Sequence, residues 1–175
     1  MAIDPDRTFK PVAIALLTVS DTRGPDEDTS GDILAARIEA AGHSLAARAI
    51  EKDDADVIVA RLNGWIDDPS IDAIVSTGGT GLTGRDVTPE ALDRVKDKDI
   101  PGFGELFRWL SYKSIGTSTV QSRACAIVAR GTYVFALPGS NGAVKDGWDG
   151  ILAEQLDSRN RPCNFVELMP RLREK

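Results

Sequence analysis

Histidine is the scarcest chemistry-bearing residue in this 175-residue chain: His43 stands alone. One imidazole cannot build a His/Cys zinc cluster, and it argues against a histidine-based catalytic triad. Cysteine is nearly as rare. Cys125 and Cys163 are too few for a disulfide scaffold and suit free thiols in a reducing cytoplasm. No apolar run is long enough to span a bilayer, and the opening MAIDPDRTFK lacks the apolar centre of a signal peptide. An excess of basic residues is missing too: 21 Lys and Arg face 27 Asp and Glu, a net charge of −6. That balance disfavours a broad nucleic-acid or membrane surface while leaving room for a local basic pocket. Internal repeats and low-complexity linkers are also absent. The expectation is therefore a cytoplasmic protein without nucleic-acid or membrane partners. It has one domain over residues 11–157, between a flexible leader, 1–10, and a C-terminal tail, 158–175.

What is present alternates between strand and helix patterns. Val12 to Val19 is almost continuously apolar, as a central parallel strand covered on both faces should be. A helix from about Ser30 to Ala41 carries Ile33, Leu34, Ile38 and Ala41 on one face and stops at Gly42. Leu45 to Ile50 reads as a weaker strand nearer an edge, and the next helix buries Ile58, Leu62 and Trp65. Later, Phe103, Leu106, Phe107 and Leu110 recur at helical spacing, fit for the core or a subunit interface. Ala124–Ala129 and Tyr133–Leu137 flank Arg130-Gly131-Thr132 as a β-hairpin. A final helix sets Val144, Trp148, Leu152 and Leu156 on one face, and the arginines of the tail beyond it read as solvated. The implied fold is α/β and three-layered, with a mostly parallel sheet, helices on both faces and a late β-hairpin.

The most informative stretch is IDAIVSTGGTGLTGRDVTPEA, residues 71–91. It opens on a short apolar strand and closes on Thr88-Pro89-Glu90, where Thr88 can cap a helix and Pro89 suits its first position. Between them lie Gly78, Gly79, Gly81 and Gly84. Glycines permit left-handed turns and close approach, so successive N–H groups can point at an anion. Strand, glycine loop, helix is the layout of a phosphate-binding turn. Two familiar strings nearly fit. The GxGxxG of a nicotinamide-binding fold runs from Gly79 to Gly84, but Arg85 and Asp86 then separate it from the helix. As a P-loop the same residues put Arg85 where lysine belongs and Asp86 where a hydroxyl belongs.

In a parallel sheet with right-handed crossovers the carboxyl ends of the strands share one rim, and ligands bind outside it. Asp21, Asp53 and Asp86 each follow a different predicted strand, so they should meet there. The glycine loop and the turn Pro138-Gly139-Ser140 join them, each feeding a helix N-terminus. Carboxylates beside phosphate loops suit Mg²⁺-assisted phosphoryl or nucleotidyl transfer, because oxygen ligands hold the ion and the ion offsets phosphate charge.

These residues also carry a resemblance. Thr18-Val19-Ser20-Asp21, Ser76 to Gly81, Arg85 to Glu90, Gly102-Phe103-Gly104-Glu105, Ser122-Arg123-Ala124, Leu137 to Ser140 and Arg161 to Phe165 are similar to the MoaB/Mog family of molybdenum-cofactor biosynthesis proteins. GFGELFRWLSY, IGTSTVQSRA and RPCNF look more like the MoaB branch. The resemblance implies a molybdopterin-binding domain that assembles as a homo-oligomer, a trimer or a hexamer of two trimers. It also implies an adenylyltransferase that joins the terminal phosphate of molybdopterin to the AMP portion of Mg-ATP. Carried over, Gly78, Gly79, Thr80 and Gly81 with Pro138, Gly139 and Ser140 cradle phosphate. Asp86 and Asp53 handle metal and nucleotide, and Ser20, Asp21 and Glu105 are further substrate-binding candidates. The alternative is a non-catalytic molybdopterin carrier or scaffold with the same pocket.

Overall fold

The computed structural model describes residues 3–174. A six-stranded sheet forms its middle layer, in the order β2-β1-β3-β6-β5-β4. Its strands are β1 (Ala13–Val19), β2 (Ser44–Glu51), β3 (Ala73–Thr77), β4 (Lys98–Asp99), β5 (Cys125–Ala129) and β6 (Thr132–Leu137). β1 pairs in parallel with β2 and β3, and β3 with β6. β5 turns back antiparallel to β6, and the two-residue β4 is antiparallel to β5. The expected hairpin thus supplies the antiparallel side of the sheet. Gly131 at φ 88° and Arg130 at φ 48° make its turn.

Composition decides which strands are central. The side chains of β3 and β6 are buried throughout, which fits their largely apolar makeup; the polar Ser76 and Thr77 of β3 donate to Phe135 O and Pro138 O. β2 alternates exposed and half-buried positions over its first six residues, as an edge strand with Arg48 in it should.

Helices cover both faces. α1 (Thr29–Ala40), α4 (Pro101–Ile115) and α5 (Asn141–Gly147) bring Leu34, Ile38, Phe103, Phe107 and Val144 onto one face of the sheet. α2 (Ala55–Ile66) and α3 (Thr88–Val95) bring Ile58, Leu62, Ala91 and Leu92 onto the other. Every one of these side chains is nearly fully buried, and at roughly 1.5–3 kcal/mol apiece the two layers dominate the favourable side of folding. The aromatic stripe on α4 divides. Phe103 and Phe107 enter the core, whereas Leu106 and Trp109 stay 40% and 60% exposed. α5 runs on through a π-helical turn, Trp148–Leu152, and a short helix, α6 (Ala153–Gln155). No described helix is long and apolar enough to cross a membrane.

The ends of the chain are more structured than their composition suggests. Ile3 bridges to Asn160, Arg7 reaches Ser158 O and Glu167, and Phe9 packs against His43. In the tail, Asn164 caps the short helix α7 (Phe165–Leu168), whose Phe165 ring packs at a tilt against Tyr133 and Phe135. Arg159 and Arg161 keep contact with solvent, as expected, and also pair with Asp157 and Asp4. Neither end has a periodic pattern, because each is held by contacts with the other end and with the sheet rather than by a helix or strand repeat of its own.

Candidate functional site

The chain leaves β1 toward β2 and leaves β3 toward the opposite side of the sheet, with α1 and α3, the helices that follow these strands, on opposite faces. That reversal opens a crevice where the two strands end. Val19, Thr77 and Leu137 finish β1, β3 and β6 side by side, and the loops after them converge. The convergence is tight enough to require glycine. A Cβ on Gly78, at φ 102°, would sit 2.1 Å from Val19 O. One on Gly79, at φ 64°, would sit 2.4 Å from the Thr88 hydroxyl and 2.9 Å from Asp53 Oδ1. Around these backbones lies a cleft of about 460 Å³ lined by Ser20, Arg23, Asp53, Gly78, Gly79, Thr80, Gly81, Arg85, Asp86, Pro138, Gly139 and Ser140. The sheet therefore brings together most of the expected residues. Asp21 lies beside the cleft and lines the adjoining cavity, while Glu105 is exposed on α4 and does not line the cleft.

Several side chains fasten the walls. Thr77 Oγ1 donates to Pro138 O at 3.1 Å, and the Gly78 N–H donates to Leu137 O at 3.0 Å. The Ser140 hydroxyl accepts from the Ala143 N–H and so caps α5. Ser20 Oγ accepts from the N–H groups of Thr22 and Arg23, shaping the turn after β1. Thr88 does not cap α3 as expected. It already has helical geometry, and its hydroxyl instead donates to Gly78 O at 2.9 Å, tying the helix start to the glycine loop. Among the described residues the N–H groups of Gly79 and Thr80 have no acceptor within the chain. Two adjacent unsatisfied donors beside a polar cleft are what an oxyanion needs.

Two arginines that residue-by-residue reading did not single out complete the site. Arg23 Nη1 donates to Ser30 Oγ at 2.9 Å and to Gly139 O at 3.2 Å, which holds its cation at the cleft wall. Arg123 fastens the loop from outside. Its Nε donates to Gly81 O at 2.7 Å, its Nη2 to Asp86 O at 2.6 Å and its N–H to Thr80 O at 2.9 Å, while Nη1 pairs with Glu90. Residue chemistry offers for either only a basic residue beside a strand end; Arg123 also lies within the stretch Ser122-Arg123-Ala124 that carries the resemblance, but it acts across some forty positions where no local pattern reaches.

The carboxylates divide into two kinds. Asp86 Oδ2 accepts from the N–H and hydroxyl of Thr83 at 2.8 and 2.6 Å. The Thr83 hydroxyl, then backbone N–H groups, hold its carboxyl below the usual range. Asp53 goes the other way: burial first, then the charges of Asp21 and Asp86, push its carboxyl up. Asp21 accepts from the Asp53 N–H at 3.2 Å and from the exposed Arg85 at 3.2 Å. No group of three or more His, Cys, Asp or Glu among the described residues is arranged to enclose a metal. Mg²⁺ does not require one, since it is commonly held by one or two carboxylates together with substrate phosphates and water.

Comparison with known proteins gives a consistent result. Residues 15–158 match a family described as a probable molybdopterin binding domain. Molybdenum cofactor biosynthesis protein B of Escherichia coli K12 is 49% identical over 157 residues, which span 90% of this chain and 92% of that one. A crystal structure of a molybdenum cofactor biosynthesis protein B superimposes with a TM-score of 0.86 at 34% identity, covering 97% of this chain and all of the other. The tungsten cofactor synthesizing protein MoaB of Pyrococcus furiosus gives 0.79 at 34% identity, covering 94% and 99%.

Proposed function

This chain belongs to the molybdopterin-binding family of molybdenum cofactor biosynthesis proteins, and from that premise we propose that it is a molybdopterin adenylyltransferase. In this reading the terminal phosphate of molybdopterin attacks the α-phosphorus of ATP. A new phosphoanhydride forms, the α–β bridge breaks, and pyrophosphate leaves. The supporting observation is a single juxtaposition: the Gly79 and Thr80 donors lie in the same cleft as Asp53, whose charge the site leaves poorly compensated.

The parts have distinct tasks. The loop N–H groups hold the pterin's phosphate, and Arg23 and Arg85 offset the charge that gathers when two phosphorylated molecules meet. Three electrostatically coupled carboxylates beside a phosphate site suit a hard divalent cation, so Asp53, with help from Asp21 or Asp86, would hold Mg²⁺. Bound there, the ion would neutralise phosphate charge and orient the triphosphate. Asp53 is the functional carboxylate in this account, and Asp86 chiefly shapes the loop.

Incubating the purified protein with molybdopterin and Mg-ATP tests the reading. Adenylylated pterin and pyrophosphate in equal amounts are expected. Binding of molybdopterin without either product would favour a second reading, a carrier with the same cleft. One observation supports that alternative: Thr83 already occupies one oxygen of Asp86. We also propose a cytoplasmic homo-oligomer built on a trimer. Leu106, Trp109, Tyr112, Ile115 and Val120, on α4 and the 3-10 turn Gly116–Gln121 after it, are 40–78% exposed and suit an apolar interface. Light scattering should return a multiple of three.

A further inference from the structure

His43 is the only histidine of the chain, and it takes no part in the cleft. It lies at the opposite rim of the sheet, between the end of α1 and the start of β2, where the leader packs on the body. We propose that His43 is a proton-operated latch: while neutral it holds residues 3–10 in place, and on gaining a proton it releases them with the sheet intact.

The ring is buried, 6% exposed. Its centroid lies 5.3 Å from that of Phe9 in the leader and 6.3 Å from that of Trp148, which it meets edge-on. Nδ1 accepts the Val12 N–H at 3.2 Å, which puts the proton of the neutral ring on Nε2. Val12 is where the leader joins β1, and Pro11 before it has no N–H to offer. An imidazolium carries a proton on both nitrogens. Nδ1 can then no longer accept, and two donors face each other between aromatic rings. Val12 O still accepts from the Ser44 N–H at 3.1 Å, so β1 keeps its place while the residues before it let go.

Every element around the ring carries charge, but little of it is free to receive the proton's charge. Arg37 of α1 and Asp149 of the π-helical turn pair with each other at 2.9 Å, and Glu39 of α1 is exposed. The leader brings Lys10, a cation. In the tail, Asp157 pairs with Arg159 at 2.7 Å and accepts its N–H as well. Asp157 does favour a charged ring, yet burial acts first and in the opposite direction, holding the imidazole below its ordinary value. Arg159 keeps Asp157 below the usual carboxylate range, and Arg161 does the same for Asp4, so both stay charged while His43 titrates. The rest of the clasp is weaker. Its ion pairs, Arg7 with Glu167 and Arg161 with Asp4, are partly solvated, and such pairs contribute little. Where Ile3 bridges to Asn160, the buried Asn160 Nδ2 has no hydrogen-bond partner among the described residues. With a histidine held low, the clasp is at full strength above about pH 6.5 and weakens as pH falls through the folded value.

NMR on the tag-free protein tests this, because one histidine gives one imidazole signal. That signal should titrate below about pH 6.5, and amide hydrogen exchange should follow the release. Corrected for the intrinsic effect of pH, opening at the Lys10 and Val12 amides should become severalfold more frequent between about pH 7.5 and 5.5. The limit is about tenfold at one unit below the ordinary histidine value. The Gly78 amide, bonded to Leu137 O at the far rim, should keep its protection. His43→Asn offers Val12 a neutral acceptor that cannot be charged, so the pH dependence should vanish. An imidazole titrating at or above about pH 6.5 would overturn the proposal, since His43 would then be an ion-pair partner of Asp157. So would Lys10 and Val12 amides that stay protected as the signal titrates, or protection at Gly78 lost in step with theirs. These three outcomes need no variant. A folded His43→Asn protein whose leader still opens in acid would overturn it as well.

Discussion

The two sides of the cleft are built on opposite principles. On one, the loop from Gly81 to Asp86 is fastened by side chains: Thr83 donates twice to one oxygen of Asp86, and Arg123 donates to the carbonyls of Gly81 and Asp86. On the other, Asp53 and Asp21 lie close enough for their charges to oppose each other, with only the exposed Arg85 between them and neutrality. Bonds already made within the chain stabilise the fold, whereas charge left uncompensated is available to a ligand. The contrast ranks residues that look equivalent as letters, and in the proposed function it is why Asp53 is assigned to the ligand and Asp86 to the loop.

The contrast breaks most readily at Gly79. Valine there would need a positive φ and a Cβ against Thr88 and Asp53, at a cost on the order of 3 kcal/mol. A Gly79→Val protein should therefore melt well below the parent in calorimetry, and loss of molybdopterin binding should accompany loss of fold. A variant that melts like the parent would mean that the loop is far more plastic than its contacts imply. Arg123→Gln comes next. It removes charge-assisted bonds to the loop worth about 2 kcal/mol, and proteolysis should then cut between Thr80 and Asp86. Asp86→Asn should have the smallest effect. The amide oxygen of asparagine can still accept from Thr83, so the melting point should drop by an amount corresponding to about 1 kcal/mol, with binding and turnover reduced in proportion. A turnover defect in Asp86→Asn without any loss of stability would move the catalytic role back to Asp86.

How much of this was legible in the letters follows from the range of each interaction. β1, β3 and β6 announce themselves because a doubly covered strand is a continuous apolar run, and β2 is marked as an edge by Arg48. The glycine loop is legible because positive φ and close approach demand a residue type. Asp21, Asp53 and Asp86 were placed on one rim by topology alone, and they share it. Nothing local reveals what each carboxylate touches there. Asp86 finds Thr83 three residues away, yet Asp53 meets Asp21 across 32 positions and Arg123 grips a loop some forty positions back. Thr88 shows the same limit. Its position reads as a cap, but it already lies inside the helix and its hydroxyl donates to Gly78 O instead of accepting from a helix N–H. The packing of the leader on the tail is likewise a pairing of two patternless segments.

Asp53→Asn, measured for turnover and for stability on the same preparation, tests the account most directly. Because the folded protein raises the carboxyl of Asp53, the unfolded chain ionises first. Stability is thus full below the unfolded value and is lost as pH rises through the folded one, leaving the parent with an unfavourable charge at neutral pH. The variant removes that charge. It should melt no lower than the parent at about pH 7, with its advantage shrinking toward about pH 4. Its adenylylation of molybdopterin should fall by on the order of 10²–10³, the usual consequence of losing one electrostatic contact to the transition state. Unchanged turnover in a folded Asp53→Asn protein, or turnover and melting point lost together, would contradict the division of labour between Asp53 and Asp86.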